Sequence, residues 1–170
     1  MRFGSLNNWH LIVWQIPLFA GLGLAACDRP APAPGPPPSP PAASQREIGQ
    51  LGVRVTLPPG GVVGNATLSS GALITGGGVG ATVIRPADSG WPRTAAEAIS
   101  SIASLDPREV RAETLADGWI VTFENGPVAS PNYWFEGRRA PGGRPLMCTS
   151  TVTVASQRDR GADVCRSLSE

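Results

Sequence analysis

In the run Gly52-Val53-Arg54-Val55-Thr56-Leu57, apolar and polar side chains alternate with the two-residue period of a strand that has one face buried, and Pro58-Pro59-Gly60-Gly61 ends it. Between Val62 and Ile84 short apolar pieces (Val62 and Val63, Leu68, Leu73 and Ile74, Val83 and Ile84) are separated by Gly, Ser and Asn, a pattern of hairpin strands whose register the pattern does not give. Thr94-Ala95-Ala96-Glu97 has capping-box spacing, and Ile99, Ile102, Ala103 and Leu105 follow at helical intervals, so a helix is predicted over residues 95–105, ended by Pro107. Strands are then predicted over 109–115 and 119–124, flanking Ala116-Asp117-Gly118, whose Asp-Gly pair is a hairpin signal. Trp119, Val121 and Phe123 share one face of the second strand. Residues 133–137 and 146–154 read as two more strands joined by the Arg, Gly and Pro-rich stretch 137–145. Ser156-Gln157-Arg158-Asp159 reads as the cap of a last helix, on which Gly161, Val164, Cys165 and Leu168 form one stripe. The class is therefore α+β, an antiparallel sheet of about five to seven strands covered by two helices.

Ahead of this region the pattern is of another kind. Arg2 is followed by an apolar run, Leu11 to Ala26, of the length used for export. Gln15, Pro17, Gly21 and Gly23 interrupt the run, and no basic flank follows it, which argues against a spanning helix. Leu24-Ala25-Ala26-Cys27 resembles the lipobox of bacterial lipoproteins at all four positions. The resemblance covers residues 1–27 alone and implies that residues 1–26 are a signal peptide and that Cys27 is the lipidated first residue of the mature chain. It implies a place in the bacterial cell envelope, held by lipid and facing the periplasm, with inner or outer membrane left open. Residues 27–45 then form a lipidated cysteine and tether, because Pro30 to Ser44 is almost entirely Pro, Ala, Gly and Ser, which cannot bury a core and favours extended geometry. At about 3.1 Å per residue it reaches roughly 50 Å. The globular domain is expected over residues 46–170.

Export to an oxidising compartment changes the reading of the other cysteines. Cys148 falls on the inward face of its strand with Leu146, and Cys165 on the inward stripe of the last helix, so a Cys148–Cys165 disulfide is expected.

Charge and composition mainly exclude. All 14 basic residues are arginine and the formal net charge is +1, so no polybasic field exists to hold nucleic acid. His10 is the one histidine and lies in the leader, which removes Ser-His-Asp and Cys-His catalysis from the mature chain. Thr75 to Thr82 is glycine-rich but no Lys-Ser or Lys-Thr pair follows, so it reads as a turn and not a phosphate loop. No metal or cofactor is expected. What survives as chemistry is a carboxylate pair drawn from Glu109, Glu113, Asp117, Glu124 and Glu136, of the kind that cleaves glycosidic bonds, the basis of an alternative reading as a cell-envelope hydrolase. The preferred reading is a small binding or structural domain. Trp91, Trp119 and Trp134 are candidates for an apolar groove, with Trp119 better placed in a core. Arg138, Arg139 and Arg144 are the candidate contact residues for an envelope protein or an anionic polymer.

Overall fold

The computed structural model of the protein describes residues 42–66, 70–87 and 90–170. The leader, Cys27, most of the tether and Leu68 therefore lie outside the described residues. The described residues form nine strands and two α-helices: β1 (Ser44–Ile48), β2 (Val53–Leu57), β3 (Val62–Asn65), β4 (Gly71–Gly76), β5 (Val79–Ile84), α1 (Ala95–Ser101), β6 (Arg108–Leu115), β7 (Gly118–Asn125), β8 (Asn132–Arg139), β9 (Leu146–Val152) and α2 (Ala155–Arg166). The α+β class and the antiparallel sheet are as expected. Seven strands make one sheet in the order β3-β4-β5-β9-β8-β7-β6, every neighbour antiparallel, and β1 pairs with β2 as a separate hairpin. Two meanders, β3 to β5 and β6 to β9, thus meet along a β5–β9 seam at the middle of the sheet.

Period two divides the sheet residues between two cores. On one face Ala72, Ile74, Ala81, Val83, Ile120, Phe135, Leu146 and Cys148 are buried under α2 and under Ile48, Leu51, Val53, Val55 and Leu57 of the β1–β2 hairpin. The α2 stripe is as expected: Gly161, Val164, Cys165 and Leu168 are all buried. Cys148 and Cys165 are joined as a disulfide with a Cα separation of 6.1 Å across 17 positions, tying α2 to a central strand. Two glycines make room for this contact. A Cβ on Gly137 would lie 3.0 Å from Cys165 Sγ, and one on Gly161 would lie 2.4 Å from Cε1 of the buried Phe135. The opposite face buries Trp119, Val121, Phe123 and Met147 under Ala98 and Ile102. Met147, on the same face of β9 as Thr149 and Thr151, is fully buried as a member of this cluster.

Several boundaries move for local reasons. Ser44 and Gln45, read as tether, belong to β1, whose register Ser44 to Leu57 lets the hairpin close on itself. The α1 cap is as read: Thr94 Oγ1 accepts from Glu97 N, and Glu97 accepts from Arg93 N. The helix nonetheless stops at Ser101, and Ala103–Leu105 tightens into a 3-10 turn before Asp106 takes φ +51°. Ser156 does not cap α2. Val154 holds the cap position without a side-chain bond, so Ser156 lies in the first turn. Gly77 and Gly78, at φ +59° and +75°, form the two-residue turn of the β4–β5 hairpin, which needs positive φ at both positions.

Candidate functional site

Helix α1 packs on β6 and β7, so on its face of the sheet the floor of β4, β5, β9 and β8 stays open. A trough of about 490 Å³ lies there, lined by Leu73, Gly80, Thr82, Trp91, Trp134, Glu136, Thr149 and Thr151 together with Ala81, Ser150 and Val152. Strand register builds it. Leu73 pairs with Thr82, Thr82 with Thr149, Thr149 with Glu136 and Glu136 with Val121, so one row crosses five strands from an exposed leucine through two hydroxyls and a carboxylate to the α1 core. The next row on β8 and β9 pairs Trp134 with Thr151.

Trp134 is held in a single orientation. Its ring stacks on the buried Phe123 at 5.8 Å between centroids and 7° between planes, and its indole N–H donates to Asn125 Oδ1 at 2.8 Å. One ring face is thus occupied by Phe123, and the residue also lines the trough. Trp91, on the β5–α1 connection, packs against the α1 core and also lines the trough. Gly80 keeps the floor low. A Cβ there would meet nothing nearer than Val152 Cγ1 at 4.0 Å.

The carboxylates named from the sequence separate sharply. Asp117 binds Arg139 at 2.7 Å, Glu124 binds Arg108 at 3.2 Å, Glu113 binds Arg166 at 2.8 Å and Glu109 stands 3.8 Å from Arg111. Burial pushes the Asp117 carboxyl up, but the hydrogen bond and charge of Arg139 and the Ala140 N–H outweigh it and hold the group below the usual aspartate value. Glu136 has neither an ion pair nor a side-chain hydrogen bond among the described residues. Burial alone raises its carboxyl above the usual glutamate value. Among the described residues the trough lining holds no second carboxylate. Among the described residues no group of three or more His, Cys, Asp or Glu stands together to hold a metal ion.

The three candidate arginines do not converge. Strand β8 runs on through Arg139, so the pleat sends Arg138 and Arg139 to opposite faces. Arg138 sits opposite Trp119 and Met147, on the α1 side. Arg139 turns toward α2, where it donates to Asp117 and to the carbonyls of Cys165 at 2.8 Å, Arg166, and Leu168 at 3.1 Å, closing the helix C-terminus. Arg144 is exposed in the β8–β9 connection, its guanidinium next to Gly52. Of the three tryptophans, Trp91 and Trp134 meet at the trough, whereas Trp119 is core.

Sequence reasoning named Trp91 and Trp134 together as groove candidates and Glu136 as one of five carboxylates, and missed Thr82, Thr149, Thr151 and Gly80. The two-residue period of Met147-Cys148-Thr149-Ser150-Thr151 placed the threonines on one face, but only the β5–β9 seam sets that face beside Gly80 and Thr82. No protein-family model matches this chain, and no curated protein or solved structure matches it, so the reading of the site rests on its own geometry.

Proposed function

We propose that this chain is an exported, lipid-anchored protein of the bacterial cell envelope whose domain binds a ligand in the trough over β4, β5, β9 and β8. Acylation at Cys27 holds it on a membrane facing the periplasm, and the proline-rich stretch lets the domain stand clear of the headgroups. The observation that carries the binding reading is Glu136, a half-buried carboxylate without a partner among the described residues, in a trough that two tryptophans also line. A group of that kind is costly to keep unless something meets it. The hydrolase reading has less support. Cleavage of a glycosidic bond needs two carboxyl groups flanking it, and the four other named carboxylates each face an arginine away from the trough lining.

The test uses the full chain in cells. A photo-crosslinking amino acid in place of Thr151 is expected to give an adduct on the intact protein, seen as a mass shift, and Gly80→Val is expected to abolish it by filling the floor. An adduct indifferent to Gly80→Val overturns the trough. Cys27→Ser is expected to release the protein from the membrane fraction, and a variant that still pellets after a high-salt wash overturns the lipid anchor.

A further inference from the structure

Among the described residues that line the trough, Glu136 alone carries a charge. An anionic ligand would find no cationic side chain among them. A neutral ligand would strip the remaining water from an ionised carboxylate without compensating it, and an uncompensated buried charge costs several kcal/mol. A cation avoids both penalties. The walls favour the same sign, because the face of an indole is the most attractive of the aromatic surfaces to a cation. The Trp134 ring is fixed by Phe123 and Asn125 before any ligand arrives, so little ordering remains to be done on binding.

The geometry points to a small organic cation, a primary ammonium group on an apolar body, as the ligand of this trough. The assignment rests on the trough being a ligand seat. An ammonium has three N–H donors and no acceptor. Glu136, Thr149 and Thr82 stand side by side in register on β8, β9 and β5 and offer a carboxylate and two hydroxyl oxygens. A quaternary ammonium would leave those acceptors unused and would want more aromatic walls than Trp91 and Trp134 supply. The apolar body has Leu73 and the two indoles to lie on. At about 490 Å³ the trough is within the size range of small-molecule clefts. Arg138, two positions further along the same face of β8, is not among the lining residues and has no ion pair with Glu136.

The test is a titration of the purified full chain in detergent, followed by tryptophan fluorescence. The probes are cadaverine, its uncharged counterpart pentane-1,5-diol, N,N′-diacetylchitobiose and poly-L-lysine. Cadaverine is expected to bind saturably, about tenfold or more weakly to Glu136→Gln, where a charge-assisted contact becomes a neutral one, and not at all to Gly80→Val. Gly80→Val has room for its Cβ and is expected to melt with the parent chain, so lost binding reads as a blocked trough. Four results overturn the proposal: equal binding of the diol, chitobiose binding that survives Glu136→Gln, poly-L-lysine binding without cadaverine binding, or no cadaverine binding by a chain whose crosslink in cells depends on Gly80. The last leaves the trough as a ligand seat and removes only the cation. A crosslink indifferent to Gly80→Val removes the trough itself.

Discussion

Replacing Arg139 by Met separates a structural arginine from a surface one. The guanidinium closes α2 through the carbonyls of Cys165, Arg166 and Leu168 and pairs with Asp117 at 2.7 Å, and its side chain is only 12% exposed. Methionine keeps most of the stem's apolar volume and removes all of the donors. Water can reach Asp117, which is 27% exposed, so the loss of that pair costs at most about 1 kcal/mol. The carbonyls of Cys165 and Leu168 belong to buried residues and lose a charged donor, at about 1–2 kcal/mol each. The sum is a destabilisation of about 2–5 kcal/mol, read as a lower urea midpoint at unchanged m-value under non-reducing conditions. The acid limb changes as well. In the parent chain the lowered carboxyl of Asp117 adds stability that is fully present above its unfolded pKa and lost as pH falls through the folded one. Without Arg139 the burial that pushes this carboxyl up is less opposed, so that acid-side loss shrinks or reverses. Arg144→Ala, at an exposed site, is expected to stay within about 0.5 kcal/mol. A change of that small size in Arg139→Met would refute the structural assignment.

Gly161→Ala is expected to lower the melting temperature even though alanine favours a helix by about 1 kcal/mol, because its Cβ would sit 2.4 Å from Cε1 of the buried Phe135, and such overpacking costs about 1–3 kcal/mol; a raised melting temperature would refute the clash. Removing the disulfide with Cys148→Ala and Cys165→Ala is expected to cost about 3 kcal/mol in urea unfolding. Alkylation of the unreduced, denatured chain should label neither cysteine, and two labelled thiols would sink the pairing. Glu136→Gln addresses the unpartnered carboxyl. Its folded pKa is raised, so its contribution to stability is fully present below the unfolded pKa and lost as pH rises through the folded one. The Gln variant is therefore expected to be the more stable at neutral pH and to lose that advantage in acid, and a variant less stable at neutral pH contradicts an unpaired Glu136.

Local chemistry was legible because it depends on near neighbours in the chain. The Thr94 and Glu97 cap, the β6–β7 hairpin (which turns at Ala116-Asp117, with Gly118 already in β7), the alternation of Trp119, Val121 and Phe123 and the α2 stripe all express periods and turn preferences that a few consecutive residues carry. The disulfide was legible for the same reason, since two periods aimed both cysteines inward and the chain offers few alternatives. Strand order is another matter. That β9 returns to pair with β5, and that α1 covers β6 and β7 and stops short of β4, are decided by how two meanders and two helices share the faces of one sheet, and no local pattern encodes that division. The pleat then separates Arg138 from Arg139, which are adjacent in the chain. It brings together Trp91, Trp134, Glu136 and three threonines, which are not. Composition and spacing could list the carboxylates, but which of them an arginine neutralises depends on contacts across as many as 53 positions, as for Glu113 and Arg166, and that is a property of the folded chain alone.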